Sequence, residues 1–192
     1  DRLSEDMLFE NRQGFEKAIN GVYVGLVDRA LYGRALSVGT IDFMAQYYTY
    51  GSGSDMNSMV GAYRYEEDEI KAIFQSAWEK AYALIVNCNI IIEKCDTKRE
   101  VLSDVYYGLY KGETALRAML HLDMLRLFGP VYDDVSKTKE SIPYVTNSDS
   151  EISPLLSAEE ILNFVIEDLN TALDLLKSTD SILTEGVRNE SN

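Results

Sequence analysis

Histidine is nearly missing from this chain of 192 residues: His121 is the single copy, which removes every metal or catalytic site built on several imidazoles. Cysteine is scarce too. Cys88 and Cys95 lie seven apart in a helical pattern, about 10.5 Å along a helix axis, which is too far for a disulfide, so both are expected as buried thiols. Proline is absent from the first 129 residues and returns only at 130, 143 and 154, which suits uninterrupted helices followed by one long connector. Positive charge is in deficit. With 18 lysines and arginines against 32 carboxylates the net charge is −14, so a phosphate backbone or an anionic lipid face is repelled, and nucleic acid is excluded as a partner. No apolar run reaches the 18 or so residues of a membrane span, and the opening DRLSED carries charges where a signal peptide has its apolar stretch.

What is present reads as helix. The hydrophobic content of 46% suits one globular unit spanning 1–192. Phe15, Ala18, Ile19, Val22 and Leu26 recur at spacings of three and four, which predicts a helix over about Asn11–Val27. A less regular segment from Leu31 to Tyr47 leads into GSGSDMNSMVGAY, expected as a loop. In EEDEIKAIFQSAWEKAYALIVNCNIIIEKC one stripe runs from Ile70 through Phe74, Ala77, Ala81 and Leu84 to Cys88 and Ile91, behind an acidic cluster that favours a helix N-terminus. The DTKRE turn then returns the chain into the next helix as an antiparallel hairpin. Its length is that of a tetratricopeptide unit, although the strict spacing of such a unit is missing. In SAEEILNFVIEDLNTALDLLKS, Ser157 and Glu160 have capping-box spacing ahead of a periodic run, and a short strand pair near Ile142–Val145 stays open.

The segment 104–128 is apolar on nearly every side. Val105, Leu109, Leu116, Leu120 and Leu127 line one stripe and Tyr110, Met124 and Phe128 another, which predicts a central rod covered on both faces. Gly112 would let another helix approach, and Gly129-Pro130 would end the rod, with Gly129 left-handed. Glu113, Arg117 and His121 share a stripe at i, i+4, i+8, where the carboxylate would bind the guanidinium, and Asp123 would pair with Arg126.

Catalytic motifs are lacking. There is no phosphate-cradling glycine pattern and no nucleophile elbow, and Asp133-Asp134 and Glu159-Glu160 are adjacent carboxylates suited to a solvated face. The expectation is no enzyme, no cofactor and no metal. Tyrosine, with 13 copies, is the unusual ingredient. Tyr47, Tyr48, Tyr50, Tyr63 and Tyr65 flank the glycine-serine loop beside Asp42, Gln46 and Asp55. Rings with a polar tip there can stack on sugars while acids and amides take the hydroxyls, or the same tyrosines can anchor helix ends. The candidate ligand residues are Asp42, Tyr47, Tyr48 and Tyr50.

The string GETALRAMLHLDMLRLFGPVY resembles the hallmark helix of SusD/RagB-like proteins. NRQGFEKAINGVYVGL is similar to that family's opening helix, AWEKAYALIVNCNIIIEKC to its tryptophan-tyrosine-asparagine helix, and the stretch from SIPYVTN to LNTALDLL to its connector and following helix. The resemblance spans nearly the whole chain, yet only the N-terminal part of a family whose members run to more than twice this length, so it implies a fragment of a longer protein. The implied fold is all-α, with antiparallel helical hairpins of tetratricopeptide type and a long irregular connector. The implied role is that of a non-catalytic surface lipoprotein of the outer membrane, held by a lipid anchor outside this chain, which captures oligosaccharide or peptide for a SusC-like TonB-dependent transporter. Ligand residues do not transfer by motif. Two other roles compatible with the residues are a helical carbohydrate-active enzyme and a peptide-binding scaffold.

Overall fold

The computed structural model describes residues 5–49, 53, 55–149 and 152–180. Tyr50, one of the candidate ligand residues, lies outside them. The architecture is all-α, built of helical hairpins with a single two-stranded ribbon in the connector among the described residues. The chain divides into two compact units, one of residues 1–22 and 85–192, the other of residues 23–84.

In the first unit the short α1 (Glu5–Leu8) precedes α2 (Arg12–Leu26), whose stripe of Phe15, Ile19 and Val22 is buried as its spacing predicts. These side chains share a core with Phe9, with Cys88, Ile91 and Cys95 of the long helix α5 (Asp68–Thr97), and with Leu102 and Tyr110 beyond it. Both cysteines are free, buried thiols, and burial pushes each up to about 12. A 3-10 turn (Arg99–Val101) reverses the chain into α6 (Asp104–Glu113), which is capped by Ser103 accepting from the Tyr106 N–H. The hairpin is tied by Asp96, whose carboxylate accepts from the Tyr107 hydroxyl at 2.8 Å and from Lys111 at 2.6 Å.

The rod predicted over 104–128 is two helices. After α6 the chain makes i→i−3 bonds, from the Thr114 N–H to Lys111 O at 3.3 Å and from the Ala115 N–H to Gly112 O at 3.1 Å, before α7 (Leu116–Phe128) begins. The Thr114 hydroxyl adds a competing bond to the same Lys111 carbonyl, which tightens the turn. A 3-10 turn advances about 120° per residue where an α-helix advances about 100°, so stripes on either side of it fall out of phase. Val105 is accordingly 52% exposed, whereas Leu120 on the same expected stripe is buried, with His121 and Met124. The stop differs as well. Gly129 has φ −81° and ψ 169°, an extended conformation, so the helix ends without a left-handed residue, at the point where Pro130 withdraws an N–H donor.

The connector holds β1 (Glu140–Pro143) antiparallel to β2 (Leu155–Ser157), with Ile142 opposite Leu156 and buried. Helix α8 (Ala158–Lys177) then starts in a complete capping box: the Glu160 N–H donates to Ser157 Oγ at 3.3 Å and the Ser157 N–H to Glu160 Oε2 at 2.8 Å. It runs antiparallel beside α6 and α7, and Gly112 is what lets it close in. A Cβ at 112 would sit 2.5 Å from Leu176 Cγ.

In the second unit the last residues of α2 lead through turns over 27–39 into α3 (Thr40–Met44) and α4 (Met56–Gly61), and the first part of α5 closes it. The segment Leu31–Tyr47 is thus mostly turns, and the expected loop contains a helix. Asp55 explains that helix: its carboxylate caps α4, accepting from the N–H groups of Asn57 and Ser58. Met59, Val60 and Ile70 form the core here, with Phe43, Met44, Ile73 and Phe74 packed against it. The turns of 27–39 are tight because Gly33 passes where a Cβ would lie 2.2 Å from the Val27 carbonyl oxygen.

Candidate functional site

The polar stripe of α7 meets partners that its spacing did not announce. Glu113 does not reach Arg117. Instead Arg117 forks onto Asp168 of α8, with Nε to Oδ2 at 2.8 Å and Nη2 to Oδ1 at 2.7 Å, and its Nη1 donates to Asn89 Oδ1 at 2.8 Å. The Asn89 amide donates in turn to the carbonyls of Val145 and Asn147, at 3.0 and 2.8 Å, and the Tyr144 hydroxyl donates to Asp168 Oδ2 at 2.6 Å. Four segments are thereby pinned: α5, α7, the connector and α8. Glu113, left to its burial and to the charge of Asp180, has a carboxyl held above the ordinary range.

His121 belongs to the same lattice. The Val145 N–H donates to its Nε2 at 3.0 Å, so that nitrogen carries no proton, and Nδ1–H donates to the Arg117 carbonyl at 2.9 Å. The ring stacks on Tyr144 at 3.9 Å between centroids. Burial lowers its pKa to about 4, against the pull of the Arg117 carbonyl. A neutral, fully buried imidazole with both nitrogens committed has no atom to offer a substrate. This cluster is a fastening, and the polar network expected of the stripe is present with Asp168 in place of Glu113. Asp123 does pair with Arg126, at 2.9 Å on the surface. Among the described residues no group of three or more histidine, cysteine or carboxylate side chains could hold a metal ion, and no helix is long and apolar enough to cross a membrane.

The unit of residues 23–84 has a different surface. Tyr47 is 77% exposed and Tyr48 half-exposed, the latter with its ring 5.3 Å from Phe43. Tyr63 and Tyr65 are 6.0 Å apart, and Tyr65 lies edge-on to Phe74 at 5.7 Å. The Tyr63 hydroxyl donates to the Met44 carbonyl at 2.7 Å and the Gln46 amide to the Gly61 carbonyl at 2.6 Å, so α3 and α4 are laced together. Both Gln46 and Tyr63 take positive φ, 60° and 55°, to make that possible. Two of the polar groups expected to meet a ligand are therefore spent on structure: Gln46 on backbone carbonyls and Asp55 on its cap. Asp42, half-buried on α3, stands close in the chain to Tyr47, whose N–H donates to the Asp42 carbonyl at 3.1 Å.

An open cleft of about 450 Å³ lies in the same unit, within the range of small-molecule sites. Its floor includes Ala30, Ala35, Val60 and Ile73, with Thr40, Asn57 and Ser76 among the polar groups and Arg29, Arg34 and Glu69 the charged ones. Sequence periodicity gives no sign of it, because Arg29 and Arg34 stand in turns. The only hint is two arginines five residues apart in an acidic chain.

No protein-family model matches the chain. Among curated proteins, SusD-like protein P38 of Formosa agariphila is 34% identical over 99 residues, which make up 50% of this chain and 17% of that protein. Among solved structures, a SusD superfamily protein from Bacteroides thetaiotaomicron superposes with a TM-score of 0.68 at 19% identity, over 86% of this chain and 37% of its own. Another, from Bacteroides vulgatus, superposes with a TM-score of 0.62 at 19% identity, over 87% of this chain and 35% of its own. The two structural likenesses concern the fold, and the chain spans well under half the length of each relative.

Proposed function

Since this chain is SusD-like in sequence and fold, we propose that it forms the helical N-terminal domain, residues 1–192, of a protein that binds oligosaccharide without cleaving it. The observation that carries this reading is the pair Tyr47 and Tyr48, two large rings turned to solvent, one of them backed by Phe43. An exposed aromatic face with a hydroxyl tip stacks on the apolar face of a pyranose, and Asp42 beside it accepts sugar hydroxyls. Several carboxylates of this unit are committed to structure: Asp28 pairs with Lys80 at 3.3 Å, Glu66 with Lys71 at 3.2 Å, Glu67 with Arg64, and Asp55 caps α4, while Asp42 enters no ion pair among the described residues. As part of a surface lipoprotein of the outer membrane, anchored through lipid outside these residues, the protein would pass its cargo to a SusC-like TonB-dependent transporter.

Tyr47→Ala with Tyr48→Ala tests the platform. Loss of two stacking rings is expected to weaken the best-bound oligosaccharide of a glycan panel by roughly tenfold or more. Both rings are exposed, so the urea midpoint should hold. An unchanged dissociation constant would remove the platform, and new reducing ends after incubation with the panel would replace the holder by an enzyme.

A further inference from the structure

The cleft lined by Arg29 and Arg34 has a charge pattern unlike the rest of its unit. Three other cations occur in residues 23–84, and each meets a carboxylate: Arg64 with Glu67, Lys71 with Glu66 and Lys80 with Asp28. Arg29 and Arg34 have no ion-pair partner among the described residues, and both line the cleft. In a chain of net charge −14, two arginines that line one cleft without a carboxylate partner leave that cleft locally cationic. From this we infer that the cleft takes an oligosaccharide bearing an acidic group, a carboxylate or a sulfate, with Arg29 and Arg34 as its anchors. This rests on the oligosaccharide reading above and narrows its cargo.

The chemistry of the lining agrees with that occupant. Guanidinium groups match carboxylate and sulfate oxygens with forked donors, and they shed hydration more readily than an ammonium does. Ala30, Met56, Ala72 and Ile73 offer an apolar surface for the C–H face of a sugar ring, while Asn57 and Thr40 can exchange hydrogen bonds with hydroxyls. Glu69 also lines the cleft and forms no salt bridge there, so the balance of charge facing the ligand is two cations to one carboxylate. A single acidic substituent is attracted by that balance. A long polyanion would meet the repulsion of the whole surface. α3 connects the cleft to the tyrosine platform, contributing Thr40 to the one and Phe43 beneath Tyr48 in the other, so one chain of sugars can lie across both.

Calorimetric titration at low ionic strength with four probes tests the assignment: tetragalacturonate, its full methyl ester, a sulfated carrageenan tetrasaccharide and the desulfated form. A charged probe is expected to bind roughly tenfold tighter than its neutral counterpart. That preference should vanish in the Arg29→Gln, Arg34→Gln double variant and should shrink as salt is added. Which pair of probes shows it identifies the anion as carboxylate or sulfate. Both arginines are exposed, so the variant should fold. Charged and neutral probes binding alike would overturn the assignment and leave the oligosaccharide reading standing. A preference that survives the double substitution would overturn it too. Absence of binding by all four would overturn the assignment as well, and the glycan panel would then decide the oligosaccharide reading.

Discussion

Arg117→Ala is expected to destabilise the protein by about 3 to 5 kcal/mol in urea unfolding, because removing one member of a buried ion pair strands the other. The Arg117 and Asp168 side chains are only 11% and 23% exposed, so solvent screening offers little relief. Asp168 would keep the Tyr144 hydroxyl alone, and Asn89 would lose the donor to its Oδ1. Removing both charges, as Arg117→Met with Asp168→Leu, should recover most of the loss but not all of it. Tyr144 and Asn89 would still be left with unmet hydrogen-bonding groups. A loss below about 1 kcal/mol for Arg117→Ala would make the pair an ordinary surface bridge.

Acid should undo the same fastening through His121. Its pKa in the fold is about 4, against an ordinary value of 6.5, so the unfolded chain takes up the proton first. The stabilisation is therefore complete above pH 6.5 and is lost as pH falls towards 4, by about 3 kcal/mol in total. A proton on Nε2 would face the Val145 N–H, donor against donor. Stability curves of the parent and of His121→Gln, compared between pH 7 and pH 4, should converge in acid as the parent alone pays for this proton. Parallel curves would mean that the imidazole titrates normally and is not enclosed.

Much of this lattice was legible one element at a time and illegible as a whole. The stripe of α2, the capping box of α8, the approach allowed by Gly112 and the burial of both cysteines are local or periodic signals, and each stands in the structure as read. The break after Glu113 carries no proline; Thr114 tightens it with a hydroxyl that competes for a backbone carbonyl, which a helical pattern does not show. Arg117 misled for a different reason. Its neighbour four residues earlier has the right charge, while the carboxylate it binds lies 51 residues on. Such a pairing depends on how α8 returns, which no local spacing encodes.

The same contrast governs the candidate site. Tyr47 and Tyr48 stood out by composition, but Arg29 and Arg34 sit in turns shaped by Gly33, without a period to reveal that they share a cleft. Asp55 and Gln46 have ligand-like chemistry and are used up in holding α4 against α3. Only the coordinates separate polar groups that wait for a partner from those that already have one.

The central claim is that recognition belongs to the unit of residues 23–84, while the Arg117–Asp168–His121 cluster only fastens the other unit. Hydrogen–deuterium exchange with and without the best-bound oligosaccharide tests it directly. Slower exchange is predicted over 40–48 and 56–76, with no change around Asn89, Arg117 and Tyr144. Protection confined to that cluster, with 40–76 unaltered, would contradict the account.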